Sequence, residues 1–210
     1  MGLTALIMAG GRASRMSPGI EKPLAEVGGK PMIVHVVEVL KKSQNIDRIV
    51  VAISRNTPKT ATVARKIGAE ILETNGLGYE EDMKFAIKKL KLRDVMVISA
   101  DLPLLTSALV DRAIESYWRE KNPALSVMVA AELVEKLGAK PSFVFDVGEK
   151  RMAPIGVNVI DGTRIDEPKL DETVLVADSD DSVLNVNTDE ELRIARELKA
   201  SEQKRELKKD

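Results

Sequence analysis

The most constraining feature of this 210-residue chain is a regular alternation of short apolar runs with longer amphipathic ones. Several short runs are rich in Val, Ile and Leu without polar alternation, which is typical of strands covered on both faces. We predict strands at residues 3–8, 48–54, 69–73, 94–99 and 124–130, and helices at 31–42, 58–67, 79–92 and 107–120. This alternation predicts an α/β fold, a three-layer sandwich around a mostly parallel, doubly wound sheet.

The pattern changes after about residue 130, where a Gly-rich turn lies between predicted strands at 142–146 and 155–160. Two further apolar segments, "TVLVAD" and "SVLNVN", precede a terminal helix in which Thr188 and Glu191 have the spacing of a capping box. Residues 199–210 are highly charged and lack apolar anchors, so we expect this tail to fray. We interpret residues 1–210 as a single domain.

Composition excludes several classes of function. A net charge of −1 and an aromatic content of 3% disfavour a nucleic-acid-binding protein. The absence of Cys and the presence of a single His, His35, disfavour thiolate nucleophiles and His-based or thiolate-based metal sites, and we expect His35 to be structural. Neither a signal peptide nor an apolar run of about 20 residues is evident. We therefore expect a cytoplasmic protein without a membrane span.

The first predicted strand leads directly into "AGGRASRMSPGIEKPL". In a doubly wound sheet, ligands bind beyond the carboxyl ends of the strands. Gly10 and Gly11 would let backbone N–H groups approach an anion, and Arg12, Arg15 and Lys22 could add positive charge. The alternative is a simple tight turn with solvated cations. Because the spacing matches neither G-x-G-x-x-G nor the P-loop motif, a dehydrogenase and a P-loop NTPase are both disfavoured.

Asp101 follows another apolar strand, in "VMVISADLPLL", and should emerge at the same edge of the sheet. A single carboxylate beside phosphates suits Mg²⁺, although Asp101 could instead serve as a turn or capping residue. Asn185 and Asn187 could bind a ligand through their side-chain amides, complete the coordination of a metal ion, or only form a turn before the last helix. Gly156 within a predicted strand suggests a close approach of another group to the backbone.

Taken together, these segments resemble the MobA-like nucleotidyltransferase superfamily, whose signature is a strand, then A-G-G-x-G-x-R-M, then a Lys-Pro pair. Here the signature reads AGGRASRM at residues 9–16 with Lys22-Pro23, and Ala13 replaces the usual Gly. The segments "NTPKT", "GYEED" and "PIGVNV" are most similar to the archaeal guanylyltransferases that act on adenosylcobinamide phosphate in cobalamin (vitamin B12) biosynthesis. The resemblance implies a Rossmann-like sheet of the nucleotidyltransferase type.

The resemblance also implies an activity, the transfer of GMP from GTP to adenosylcobinamide phosphate with release of pyrophosphate. Arg15, Lys22 and Asp101 would be catalytic, with Asp101 holding Mg²⁺. The implied nucleotide-binding residues are Ala9, Gly10, Gly11, Arg12, Arg15, Lys22, Ser54, Asn56, Thr74, Gly78, Gly156 and Asn185. The attacking phosphate carries most of its second negative charge at neutral pH, so no general base is required.

Two alternatives remain open. The Gly loop does not select the acceptor, which could be molybdopterin or a sugar phosphate. From a different class, the chain could be a nucleotide-binding regulator without catalytic activity. The feature that favours this alternative is Ala13, which replaces the usual Gly of the signature. The sequence leaves open whether the protein forms a homodimer.

Overall fold

The computed structural model describes residues 2–12, 15–16, 19–178 and 184–206. Its strands are β1 Leu3–Met8, β2 Glu26–Val27, β3 Lys30–Pro31, β4 Ile46–Ile53, β5 Glu70–Glu73, β6 Asp94–Ser99, β7 Ala124–Ala130, β8 Phe145–Val147, β9 Lys150–Asp161 and β10 Glu172–Val176. Its α-helices are α1 Met32–Leu40, α2 Pro58–Lys66, α3 Tyr79–Leu90, α4 Ser107–Glu120, α5 Ala131–Lys136 and α6 Asp189–Glu206. The predicted strands 3–8, 94–99 and 124–130 and the predicted helix 107–120 match these bounds.

The main sheet has the strand order β5-β4-β1-β6-β9-β7-β10, with β8 paired to β9 beside this path. Strands β5, β4, β1 and β6 are mutually parallel, and β10 is parallel to β7. Strand β9 is antiparallel to both of its neighbours, β6 and β7. The chain moves outward from β1 through β4 to β5 and then returns to the other side of β1 as β6. The sheet therefore has its topological switch point between β1 and β6, where ligands bind in open α/β folds.

Apolar side chains cover both faces of this sheet. Helices α1, α2 and α4 contribute to one large core cluster, while α3 packs in a second cluster on the other face. Leu6 and Ile7, neighbours on β1, are both fully buried, each in a different cluster. Each buried side chain of this size stabilises the fold by about 1.5–3 kcal/mol. The predicted three-layer α/β sandwich with a mostly parallel sheet is confirmed.

Three helix N-termini near the switch point are capped in different ways. The predicted capping box of α6 is present: Glu191 N donates to Thr188 Oγ1 at 3.2 Å and Thr188 N donates to Glu191 Oε2 at 3.0 Å. Thr106 accepts a hydrogen bond from Leu109 N at the start of α4. Thr57, which precedes α2, makes no side-chain cap. The carboxylate of Glu21 caps this helix instead.

The Glu21 cap joins the end of the Gly-rich segment to α2. Its two carboxylate oxygens accept from Lys59 N at 2.8 Å, Thr60 N at 2.6 Å and Thr60 Oγ1 at 2.7 Å. A short 3₁₀ turn, Lys22–Leu24, follows directly. The position of Lys22 is therefore fixed by a helix terminus that lies nearly 40 residues further along the chain.

Some elements differ from the sequence interpretation. The strand predicted at 142–146 forms instead as β8, Phe145–Val147, and β9 begins before the strand predicted at 155–160. The spacing of Asn185 and Asn187 predicts that both lie on one side of a strand, but residues 184–187 are not part of a strand. In this segment Val186 N donates to Asp101 O at 3.0 Å and Asn187 N donates to Glu191 Oε2 at 2.6 Å. Helix α6 continues to Glu206, and fraying of residues 199–210 stays a prediction. Across the described ranges, none of the helices combines the length and apolarity that a membrane span requires.

Candidate active site

A cavity of about 700 Å³ opens at the carboxyl edge of the sheet, over the switch point. Met8 at the end of β1 pairs with Ser99 at the end of β6, and Ala100 N donates to Met8 O at 3.2 Å. The loops that follow these two strands therefore leave the sheet side by side. Residues from both loops, from β9 and from the segment before α6 line the cavity.

The Gly-rich loop forms one wall of the cavity and is held from behind. The Gly10 carbonyl accepts hydrogen bonds from Ser54 Oγ at 2.7 Å and from Asn56 Nδ2 at 3.4 Å. A Cβ on Gly10 would lie only 3.2 Å from the Ser54 backbone nitrogen, whereas Gly11 faces open space. Ser54 thus fixes the loop while leaving the Gly11 side open for a ligand.

Lys22 and Asp101 meet at the centre of the cavity. Lys22 Nζ forms an ion pair with Asp101 Oδ2 and donates to Asn187 Oδ1 at 2.8 Å. The Lys22 and Asp101 side chains are only 18% and 12% exposed, so solvent screens this pair less than it screens a surface pair. Asn185 Nδ2 donates to the other Asp101 oxygen, Oδ1, at 3.3 Å. Two segments distant in sequence therefore converge on one carboxylate.

Arg15 lies above this centre and joins two parts of the wall. Its guanidinium donates to Asn187 Oδ1 at 3.3 Å and to Ser142 Oγ at 3.4 Å. Arg12 lines the same cavity and is exposed. Neither arginine forms an ion pair within the ranges that the structure describes, so both guanidinium groups can meet an anion. Ala13 and Ser14, which lie between them, fall outside the described residues.

Gly156 lies where β9 bends away from regular pairing. The register between β7 and β9 shifts between Ser126 and Met128, and Gly156 has a φ of +74°. A Cβ at this position would overlap the Ser99 hydroxyl and lie 3.2 Å from Asn185 Nδ2. A β-bulge with a left-handed glycine allows this close approach, as the sequence interpretation expected.

The segment before α3 forms the rim of the cavity next to Ser54. Asp82 Oδ1 accepts hydrogen bonds from Gly76 N at 3.0 Å and Leu77 N at 3.4 Å, which fixes the Gly-rich turn. Tyr79 reaches toward Ser99 and Asp101 from this rim. Burial of its hydroxyl end raises the pKa of Tyr79 to about 12, and the Asp101 carboxylate adds to the increase. The phenol is therefore a neutral hydrogen-bonding group at physiological pH.

Most of the predicted site residues line this one cavity. They are Ala9, Gly10, Gly11, Arg12, Arg15, Lys22, Asn56, Gly78, Asp101, Gly156 and Asn185. Ser54 and Thr74 lie behind the wall, where Ser54 bonds to Gly10 and Thr74 Oγ1 donates to Ile53 O at 2.9 Å. Their direct contact with a nucleotide stays a prediction. His35, expected to be structural, is buried and its Nε2 lies 2.7 Å from Val27 O.

Several cavity residues escaped the sequence interpretation. Asp82, Lys140 and Phe143 line the cavity, although nothing in the local sequence pattern of Lys140 and Phe143 distinguishes them from surface residues. Tyr79 belongs to the segment 74–79 that the family resemblance suggests for base contacts, and the glycines of this segment were the available signal for the nearby Asp82. Lys140 begins a Lys-Pro pair, as Lys22 does, but the repetition of this dipeptide has no structural meaning by itself.

The oxygen atoms around Lys22 fit a divalent cation. Asp101 Oδ2 and Asn187 Oδ1 already converge on the positive charge of one ammonium group, which shows that both can face a single cation. The described residues contain no group of three or more His, Cys, Asp or Glu that could hold a metal. One carboxylate and one amide oxygen suit a hard cation that completes its shell with phosphate oxygens and water.

The structure also resembles solved nucleotidyltransferases. A CMP:2-keto-3-deoxy-manno-octonic acid synthetase complexed with CTP superposes with a TM-score of 0.74, at 17% identity and covering 96% of this chain and 99% of that one. At this level of sequence identity the similarity shows only that the two proteins share a fold.

Sequence comparisons point to the same superfamily. The chain is 32% identical over 209 residues to the adenosylcobinamide-phosphate guanylyltransferase of Methanocaldococcus jannaschii, covering 93% of this chain and 97% of that protein. It is 28% identical to a probable molybdenum cofactor guanylyltransferase of Thermococcus kodakarensis, covering 89% and 90%. The family model for the MobA-like NTP transferase domain matches residues 5–151. With its Gly-rich loop, Lys22 and Asp101 brought to one cavity, the chain belongs to the MobA-like NTP transferase family.

Proposed function

We propose that this protein transfers GMP from GTP to adenosylcobinamide phosphate and releases pyrophosphate, a reaction of cobalamin biosynthesis. Its relative from Methanocaldococcus jannaschii is named adenosylcobinamide-phosphate guanylyltransferase. The observation that carries the proposal is the convergence of the Gly-rich loop, Lys22 and Asp101 on one cavity at the switch point of the sheet. This arrangement combines backbone donors, cations and a metal-binding carboxylate, which nucleotidyl transfer requires.

The nucleotide would bind with its triphosphate over Gly10 and Gly11. Arg12 and Arg15, without ion-pair partners in the described ranges, supply positive charge beside the phosphates. Lys22 would exchange part of its contact with Asp101 for a phosphate oxygen. On the base side, Asn56 and Gly78 line the cavity, and we expect contacts to the purine there.

The chemical step needs no general base. A phosphate oxygen of the acceptor forms a bond to the α-phosphorus of GTP, and the bond from that phosphorus to the α–β bridging oxygen breaks. The bridging oxygen leaves with the electron pair as part of pyrophosphate. Because the second pKa of a phosphate monoester is about 6, the attacking oxygen is already deprotonated at pH 7. The alignment of the two substrates can contribute roughly 7–11 kcal/mol to lowering the barrier.

Asp101 and Asn187 would hold the divalent cation, for which we propose Mg²⁺. When bound, Mg²⁺ supplies positive charge that neutralises the triphosphate. Asn185 would act through Asp101, because its amide donates to the carboxylate oxygen that Lys22 does not contact. Lys22 and Arg15 remain beside the phosphates and meet the negative charge that develops on the leaving group.

A matrix of nucleotides and acceptors tests this function. GTP, ATP, CTP and UTP are each incubated with Mg²⁺ and either adenosylcobinamide phosphate, molybdopterin or a sugar 1-phosphate, and pyrophosphate release is measured. We expect turnover with GTP and adenosylcobinamide phosphate. Turnover confined to molybdopterin, the acceptor class suggested by the Thermococcus kodakarensis relative, would overturn the acceptor assignment. Tight GTP binding without any turnover would favour the regulator hypothesis.

A further inference from the structure

The cavity has a polar half and an apolar half. The polar half contains the Gly-rich loop, the basic side chains and Asp101. The other half is built from β7, α5, β9 and the segment before α6. Its apolar lining comprises Val129, Val134, Phe143, Ala153, Ile155 and Leu184. All except Phe143 are nearly buried and form part of the main core, so this wall is a rigid apolar surface.

The polar side chains that the segment before α6 brings to this half already have partners, since Asn185 Nδ2 donates to Asp101 and Asn187 Oδ1 accepts from Lys22. Asn158 Oδ1 already accepts a hydrogen bond from Ser126 Oγ at 2.8 Å, and Ser142 Oγ accepts one from Arg15 at 3.4 Å. Lys140 also lines the cavity and pairs with no carboxylate in the part of the chain that the structure describes. Lys140 therefore places a positive charge beside the apolar wall, in addition to Arg15 at the boundary with the polar half.

Phe143 lies at the mouth of this half and is 68% exposed. A large exposed aromatic side chain at the edge of a cavity contributes little to the fold and is typical of a recognition surface. Phe145, two residues further on, is 52% exposed but does not line the cavity. The two phenylalanines thus have similar exposure and differ in their relation to the cavity.

The apolar lining and the nearby Lys140 favour some classes of acceptor over others. A sugar phosphate buried here would leave its hydroxyl groups facing apolar side chains, and unpaired buried polar groups are costly. An acceptor that is anionic at one end and presents an apolar face, such as part of the face of a macrocycle, would be matched at both. A nucleotide occupying the polar half leaves the apolar half for this second substrate.

We propose that the apolar half is the acceptor subsite, in which Lys140 pairs with the acceptor phosphate and Phe143 covers an apolar face of the acceptor body. The acceptor class is then a phosphate monoester whose body has an apolar face. This inference rests on the proposed nucleotidyl transfer. It goes beyond it by assigning acceptor recognition to residues between α5 and β8.

Steady-state kinetics test the assignment, with GTP as donor and adenosylcobinamide phosphate as acceptor. We expect Phe143→Ser and Lys140→Gln each to raise the KM for the acceptor by at least about tenfold, the loss typical of a binding anchor. The KM for GTP should stay within about twofold. The matched controls are Phe145→Ser and Lys136→Gln, since neither side chain lines the cavity, and both should leave the two KM values unchanged.

Two results would contradict the assignment of the acceptor subsite. An unchanged acceptor KM in Phe143→Ser and Lys140→Gln would overturn the assignment while guanylyl transfer stands. A change in sedimentation behaviour shared by Phe143→Ser and Phe145→Ser, without a change in KM, would instead identify the surface as a contact between copies of the chain. Calorimetric titration with GTP verifies that each variant retains its folded nucleotide site.

A failure of the proposed function would look different. If the unaltered enzyme did not use adenosylcobinamide phosphate, the same variants would be tested with an aryl phosphate monoester and a sugar 1-phosphate as acceptors. The inference predicts turnover of the aryl phosphate and its selective loss in Phe143→Ser. Efficient use of the sugar phosphate, unaffected by that substitution, would refute it.

Discussion

Replacing Gly156 by alanine should damage both stability and catalysis, and the structure gives the size of each contribution. The left-handed backbone at φ +74° costs a residue with a Cβ about 1–2 kcal/mol. The new Cβ would also overlap the Ser99 hydroxyl and lie 3.0 Å from Ser99 Cβ. Overpacking of this kind costs about 1–3 kcal/mol. We therefore expect a total loss of about 2–5 kcal/mol.

Gly29→Ala separates the two contributions. Gly29 has a φ of +79°, but a Cβ there would meet nothing within 4 Å. This variant should lose only the backbone contribution of about 1–2 kcal/mol. Because 1 kcal/mol shifts Tm by about 2–4 °C in a protein of this size, thermal unfolding followed by circular dichroism resolves the difference between the variants.

The two glycine variants should differ more in kcat than in thermal stability. To accommodate a Cβ on Gly156, Ser99 and Asn185 must move, and Asn185 bonds directly to Asp101. We expect kcat for pyrophosphate release to fall by at least about tenfold in Gly156→Ala, which corresponds to about 1.4 kcal/mol of barrier, and to stay unchanged in Gly29→Ala. Equal Tm values and equal kcat values for the two variants would refute this reasoning.

Two other predictions test the surroundings of the site. Glu21→Ala and Thr106→Ala each remove a helix cap and should each cost about 1 kcal/mol in chemical denaturation. Only Glu21→Ala should lower kcat, because Lys22 follows it directly; equal activity losses would contradict a positioning role. Burial lowers the pKa of His35 below 6.5, so the unfolded chain takes up the proton first and stability should fall as pH drops below about 6.5. His35→Gln should remove that part of the decrease in Tm between pH 7 and pH 5, whereas an unchanged pH dependence would exclude His35 as its source.

The fold was predictable where local sequence carries the burial signal. Strands β1 and β6 are buried on both faces, so their continuous apolar runs identify them residue by residue. Strand β9 was only partly predicted, because its first residues, Lys150 and Arg151, are exposed and charged. The antiparallel direction of β9 depends on pairing with strands far away in sequence. No local pattern encodes that pairing.

The candidate site was likewise predictable from the sequence only in part. The positions of Gly10 and Asp101 followed from the rule that ligands bind at the carboxyl ends of parallel strands. The cap that Glu21 provides for α2 could not be predicted, because Thr57 is the residue that local sequence favours for this role. The position of Phe143 likewise depends on how the segment after α5 folds back over the cavity.

We propose that the cavity around Asp101 catalyses guanylyl transfer. The most direct test measures pyrophosphate release and the GDP-linked product from GTP, Mg²⁺ and adenosylcobinamide phosphate, with the unaltered protein and with Asp101→Ala. Circular dichroism verifies that both proteins are folded. We expect both products in equal amounts from the unaltered protein, and a loss of at least about a hundredfold in Asp101→Ala, the range for removing a group that stabilises developing charge. Full turnover by a folded Asp101→Ala protein would contradict the claim.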